Sequence, residues 1–226
     1  MSILLDTGIL LDTDILWIVK VDSFADMKKI LNIISSPRGA NSYSIQLADA
    51  LLDKLKVEYP GSQIKTVNLV EKHFPHLEES QIAGFFIPAP QQTQKDKEAL
   101  RHSDEAIEEL MDADILVIGA PMYNFAIHST LKAWIDHVVR VGVTFSYSEK
   151  GAEGLVKGKK VYLILSSGAV FSDGPMKAND FVEPYLRWML GFIGLSDITT
   201  LRVEGTAYPD LKDTALEKAV NAISLN

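Results

Sequence analysis

The sequence predicts a three-layer doubly wound α/β domain with a five-stranded parallel sheet in the order 2-1-3-4-5. Three observations carry that expectation. From residue 29 onward, short apolar runs alternate with longer amphipathic ones, the pattern of a parallel sheet covered by helices. The short runs are rich in branched aliphatics and do not alternate with polar residues, as strands buried on both faces require. The length of 226 residues suits one well-filled domain rather than two. Right-handed crossovers between parallel neighbours then make this strand order the simplest.

The strands are expected at Lys29 to Ile34, Ile64 to Asn68, Asp114 to Gly119, Lys160 to Leu165 and Ile198 to Val203. Ile115-Leu116-Val117-Ile118 is the clearest of them. Ile45, Ala48, Leu51, Leu52 and Leu55 share one helical face, and so do Leu131, Trp134, Ile135 and Val138. Similar spacing predicts helices over about 96–111, 178–190 and 209–224.

Two stretches depart from the alternation. Residues 71–95, with His73, Pro75, His76, Pro88 and Pro90, read as a long irregular loop over the domain. Residues 143–158, with Phe145, Tyr147, Gly151, Gly154 and Gly158, read as a second excursion of hairpin character. Loops this long in a compact domain often shape a site or an interface. Ahead of Met27-Lys28-Lys29-Ile30, which reads as the beginning of the domain, residues 1–26 carry five Asp and one Lys. They are expected to form an upstream extension of no catalytic consequence, or else an added edge strand or dimer arm.

Composition narrows the chemistry. A formal net charge of -8 and the lack of any basic run argue against nucleic-acid phosphate as a partner. The sequence contains no cysteine, which removes disulfides, thiolate catalysis and thiolate zinc sites. The apolar stretch Ile3 to Val19 is interrupted by Asp6, Asp12 and Asp14. It fits neither a signal peptide nor a membrane span, so a cytoplasmic location is expected. His73, His76, His128 and His137 lack a supporting carboxylate pattern and read as solvated or capping residues rather than metal ligands. Asp104, Glu105, Glu108 and Glu109 read as a solvated helix face, and Trp134 and Trp188 as core or dimer contacts.

Ligands of open α/β sheets bind beyond the carboxyl ends of the strands at the switch point, here the first, third and fourth strands. After the first comes Ser35-Ser36-Pro37-Arg38-Gly39-Ala40-Asn41-Ser42-Tyr43-Ser44, leading into a helix. A helix N-terminus offers backbone N–H groups to an anion, and Ser36, Ser42 and Ser44 add hydroxyls. Ordinary capping by Asn41 or Ser42 would explain the turn equally well by itself. Neither a Gly-Lys-Ser/Thr phosphate loop nor the Gly-x-Gly-x-x-Gly fingerprint occurs. After the third strand, Pro121-Met122-Tyr123-Asn124-Phe125 brings a thioether, two aromatics and an amide to the same edge, which suits a flat aromatic cofactor with a polar rim. The fourth strand ends in Ser166-Ser167-Gly168-Ala169, small enough for close backbone approach. The three segments together favour FMN, the phosphate at the Ser-rich loop and the ring at Pro121 to Phe125.

These segments, with Gly142-Val143-Thr144-Phe145, Tyr185 and Leu190-Gly191-Phe192-Ile193-Gly194, resemble the FMN-dependent NADH-azoreductases, relatives of the quinone reductases, from about Met27 to the C-terminus. The resemblance implies a flavodoxin-like homodimer with FMN bound non-covalently near the subunit interface. It implies that Ser36, Ser42, Tyr43 and Ser44 hold the phosphate, Pro121, Met122, Tyr123, Asn124 and Phe125 the isoalloxazine, and Ser166, Ser167, Gly168 and Ala169 the opposite rim. Family members often carry an Arg-Gly-Gly type segment where this chain has Ser167-Gly168-Ala169. Two electrons would pass from NADH or NADPH through the flavin to a quinone or azo acceptor in a ping-pong cycle, the flavin carrying the chemistry and no side chain acting as a catalyst. Phe145 and Tyr147 are candidates for covering the substrate face. A non-enzymatic flavodoxin-like electron carrier, or a flavin-binding interaction protein, is the alternative reading.

Overall fold

The computed structural model describes residues 27–225, so the expectation for residues 1–26 lies outside the described residues. Five strands form the main sheet: β1 Lys29–Ile34, β2 Gln63–Asn68, β3 Ile115–Pro121, β6 Lys160–Ser166 and β7 Asp197–Val203. All neighbours are parallel, in the order β2-β1-β3-β6-β7. This is the expected 2-1-3-4-5 arrangement with a hairpin, β4 Phe145–Ser148 and β5 Gly151–Gly154, inserted between its third and fourth strands.

Seven α-helices accompany them among the described residues: α1 Tyr43–Glu58, α2 Leu69–Lys72, α3 Glu79–Phe85, α4 Gln94–Asp112, α5 Ser129–Val138, α6 Glu183–Phe192 and α7 Pro209–Asn221. Local chemistry sets several boundaries. α1 ends at Glu58, because its C-cap Tyr59 precedes Pro60, whose ring disfavours helical backbone there. α4 begins at a capping box in which Thr93 Oγ1 accepts from Asp96 N and Asp96 Oδ2 accepts from Thr93 N.

Alternation along the strands divides the interior into two layers. Leu31, Ile33, Leu116, Ile118, Leu163 and Leu165 face the layer containing Ile107, Leu131, Trp134 and Leu190 of α4, α5 and α6. Ile30, Val117, Tyr162, Ile164 and Val203 face Leu47, Leu51, Ala215 and Ala219 of α1 and α7. β3, at the centre, is buried at every position.

Several expectations need correction. Residues 71–95 are not irregular throughout, since they hold α3 and a 3-10 turn at Ala89–Gln91. Two helical turns are too short for periodicity to register. α3 packs on α4 so closely that a Cβ at Gly84 would lie 3.1 Å from the Leu100 side chain. α6 starts at Glu183 rather than near 178, because Asp180 Oδ1 accepts from Val182 N and Glu183 N and fixes the first turn there. His137 is not a solvated or capping residue: it is fully buried beside Phe74, with Nε2 3.0 Å from the Pro75 carbonyl. The acidic face of α4 is not uniformly solvated, since Glu109 is largely buried between Lys65 and Lys72, and Asp104 pairs with Arg140. The reading of the two tryptophans as core or dimer contacts needs no correction: Trp134 is core, and Trp188 is 66% exposed and stacked on Phe192.

Candidate cofactor site

The strand registers bring Ile34, Gly119, Ser166 and Val203 toward one edge, at the carboxyl ends of β1, β3, β6 and β7. β1 and β3 are locked there by Ser35 Oγ donating to Gly119 O at 2.6 Å. A side chain at Gly119 would put its Cβ 3.3 Å from Ile33 O, so the close approach of these backbones favours glycine.

From β1 the chain turns through Ser36, Pro37, Arg38 and a 3-10 turn at Gly39–Asn41 into α1. Ser36, Ser42 and Ser44 are buried, and Tyr43 is half-buried. Ser36 Oγ accepts from Arg38 N at 3.4 Å. Ser42 occupies the N-cap position of α1 but caps nothing: its hydroxyl lies 3.0 Å from that of Ser44, and no side chain caps the helix. The first turn contains no acidic residue. A helix start usually has a side-chain oxygen on its leading N–H groups. In α1 no side-chain oxygen takes that position, and the two buried hydroxyls lie beside it.

The segment after β3 runs on beside β6, Met122 N donating to Ser166 O at 2.8 Å. It then reverses in a two-residue turn closed by Tyr123 N to Ala126 O at 2.9 Å and Ala126 N to Tyr123 O at 3.0 Å. Both central residues are left-handed, Asn124 at φ 50° and Phe125 at φ 67°. Asn tolerates this backbone, but a bulky aromatic in it is an outlier that costs about 1–3 kcal/mol. Phe125 is 50% exposed and meets Phe171 edge-on, ring centroids 6.3 Å apart. Tyr123 meets His128 edge-on at 5.3 Å. His128 Nδ1 accepts from Thr130 N at the start of α5, and burial pushes its pKa below the ordinary histidine value.

The third segment is tightly tied. Ser167 N donates to Val203 O, Ser167 Oγ donates to Ala169 O at 2.8 Å, and Ala207 N donates to Gly168 O at 2.9 Å. Gly168 is left exposed at the rim, with Ala169 half-buried. Ser36, Ser42, Tyr43, Ser44, Pro121 to Phe125 and Ser166 to Ala169 therefore all belong to segments that leave this sheet edge. Phe145 and Tyr147 stand on the β4–β5 hairpin, which packs on the end of α6, where a Cβ at Gly154 would lie only 2.2 Å from Gly194 N. Phe145 is buried against Phe192, and Tyr147 is 69% exposed.

Sequence reasoning missed the residues that brace the site. Glu204 Oε1 accepts from Phe171 N at 2.8 Å and Ser172 N at 2.9 Å. Arg202 reaches Glu204 at 3.1 Å, Asp180 at 2.6 Å and Glu183. Burial pushes the Glu183 carboxyl up, but hydrogen bonds from Thr200, Arg202 and Arg187 outweigh it and hold the pKa at about 2. Gly205 was the available signal: φ 73° marks a turn, yet nothing local tells which loop that turn holds.

A doubly wound α/β domain with an uncapped helix start and an apolar, left-handed turn at its switch point defines a class that takes an anionic ligand with a flat apolar body. The chain belongs to the family described as "Flavodoxin-like fold", whose model matches residues 28–225. It is 46% identical over 199 residues to an FMN-dependent NADH:quinone oxidoreductase of Herminiimonas arsenicoxydans, covering 88% of this chain and 98% of that relative. A protein of the same description from Beijerinckia indica subsp. indica is 44% identical over 198 residues, with the same coverage. Among solved structures, an azoreductase from Bacillus anthracis str. Sterne superposes with a TM-score of 0.80 at 28% identity, covering 86% of this chain and 96% of that one. An FMN-dependent NADH-azoreductase from Bacillus anthracis str. Ames Ancestor, in complex with FMN, gives 0.76 at 25% identity, covering 87% and 97%.

Proposed function

We propose that this chain is an FMN-dependent NADH:quinone oxidoreductase that also reduces azo compounds. The observation that carries the reading is the uncapped start of α1 beside the buried Ser42–Ser44 hydroxyl pair, a fit for a phosphate monoester. The exposed apolar turn at Asn124–Phe125 suits a flat ring. The near full-length likeness to quinone oxidoreductases supports the same reading.

Ser36, Ser42, Tyr43 and Ser44 would hold the phosphate, Pro121, Met122, Tyr123, Asn124 and Phe125 the isoalloxazine, and Ser166, Ser167, Gly168 and Ala169 its far rim. When bound, FMN supplies two-electron transfer from NADH or NADPH to a quinone or azo acceptor, the two substrates alternating in a ping-pong cycle. The chain contributes binding, orientation and polarisation: donors around Asn124 meet charge at the ring edge, and the aromatic turn keeps water from its face. Tyr147, exposed on its hairpin, would cover the substrate, whereas Phe145 is taken up by its packing on Phe192. The exposed Tyr147 and Trp188 suit burial by a second copy, making a homodimer.

No helix among the described residues is long and apolar enough to cross a membrane. A cytoplasmic location is part of the proposal and is tested by cell fractionation. Residues 27–226 are proposed as the working domain, so deleting residues 1–26 should leave flavin retention and mass in solution unchanged apart from the deleted segment. The central test is purification of a yellow protein that releases FMN on denaturation and oxidises NADH in the presence of a quinone. A colourless protein that ignores added FMN overturns the reading. A flavin-loaded protein without NADH oxidation removes the enzyme and leaves the flavin site.

A further inference from the structure

Glu204 lies just beyond the end of β7, and its contacts lead directly to the turn after β3. One oxygen, Oε1, receives Phe171 N at 2.8 Å, Ser172 N at 2.9 Å and Arg202 Nη1 at 3.1 Å. The two backbone donors hold the start of the loop between β6 and α6. The end of that loop is held by Arg202 Nη2 at Asp180 Oδ2, 2.6 Å away, while Asp180 Oδ1 fixes the first turn of α6. Gly205 N donates to Ala169 O, and Ala207 N to Gly168 O, so the residues after Glu204 secure the same loop at its root.

What this bracing delivers is Phe171. Its ring is buried and stands edge-on to Phe125, at the 6.3 Å separation where aromatic pairs still attract. Phe125 is the residue whose left-handed backbone is hardest to explain by local preference. A strained residue persists when its surroundings over-determine it, and Phe171 is the aromatic partner that the structure gives it.

We propose that Glu204 is a positioning residue for the cofactor: by holding Phe171 against Phe125 it fixes the turn on which the flavin ring lies. The inference rests on the FMN reading above. Glu204 acts through Phe171, and no contact between its carboxylate and the cofactor is required.

Four variants test it: Glu204→Ala, Glu204→Gln, Phe171→Leu and the double variant Glu204→Ala/Phe171→Leu. Each apoprotein is titrated with FMN by fluorescence quenching, the visible circular dichroism of bound flavin is recorded, and thermal unfolding is followed without flavin. Loss of an acceptor shared by three donors should weaken FMN binding about tenfold in Glu204→Ala and alter the visible dichroism. Glu204→Gln keeps a carbonyl acceptor and should restore most of both signals. Because the two residues act in series, the double variant should bind FMN no more weakly than the worse single variant.

If Glu204→Ala merely unfolds at lower temperature while its folded apoprotein binds FMN with unchanged affinity and dichroism, the proposal is overturned. It is equally overturned if the effects of the two single substitutions multiply. Should Glu204→Ala not fold, Phe171→Leu carries the test, and an unchanged flavin dichroism there sinks the proposal. Wild-type protein that takes up no FMN fails the functional reading itself, a result distinct from wild-type binding that Glu204 does not influence.

Discussion

The two edges of the central sheet are built on opposite terms. At the amino edge, polar groups are satisfied by the chain itself: Lys29 pairs with Asp112 at 2.5 Å, Lys160 with Asp197 at 2.8 Å, and Lys159 donates to the carbonyls of Met111 and Ala113. A concavity of 660 Å³ opens there, lined by Lys29, Lys65, Glu105, Glu109 and Asp112. Lys29 pairs with Asp112 and Lys65 with Glu109 across it, and Ile30, Leu31, Ile64 and Ala113 complete the lining, so these charged groups already have partners within the chain. At the carboxyl edge the helix start of α1 is uncapped, hydroxyls are buried in a pair, and Phe125 is exposed on strained backbone. The proposed site is therefore distinguished by unfinished local chemistry rather than by volume.

The largest effect is expected from finishing that chemistry artificially. Ser42→Asp places a carboxylate at the N-cap of α1, which should raise apoprotein stability by about 1 kcal/mol. The same charge should repel a phosphate and weaken FMN binding about a hundredfold. Thermal unfolding and FMN titration read the two effects, and a variant that gains stability and still binds FMN normally would break the comparison between the edges. Next comes Phe125→Gly, which creates an Asn-Gly pair, the preferred sequence for a two-residue turn with both residues left-handed. The apoprotein should gain about 1 kcal/mol from relieved strain while flavin binding falls about tenfold through the lost ring contact.

A smaller effect is expected from acid. The Glu183 carboxyl has a pKa of about 2 in the folded chain against an ordinary 4.5. A carboxylate lowered on folding adds stability above pH 4.5, and that contribution is lost as pH falls toward 2. Glu183→Gln should therefore flatten the decline in unfolding midpoint across that window. The smallest effect belongs to the amino edge. Lys29→Gln removes an exposed ion pair, and such pairs contribute little, so unfolding midpoint and FMN affinity should match wild type within error.

How much was legible in the sequence follows from the range of the interactions. The strands at Lys29–Ile34 and Lys160–Ser166 were readable because burial on both faces demands continuous apolar residues. The helix Tyr43–Glu58 was readable because its buried residues repeat at the helical period. The chain segments of the candidate site were readable as well, since a doubly wound topology sends the loops after β1, β3 and β6 to one edge. α3 was hidden by its shortness, and the burial of His137 by its dependence on the Pro75 carbonyl, distant in sequence.

The amino-acid sequence by itself determined the layers, the strand order and the edge at which the segments Ser35–Ser44, Pro121–Phe125 and Ser166–Ala169 assemble, because periodicity and crossover handedness are local rules. Only the tertiary structure decided that Ser42 leaves its helix uncapped, that Phe125 adopts a left-handed backbone, and that Glu204 reaches across to Phe171. Each of those depends on which groups meet after the chain has folded. Hydrogen-bond partners and backbone strain are settled by packing between distant segments, and no pattern within one segment encodes them.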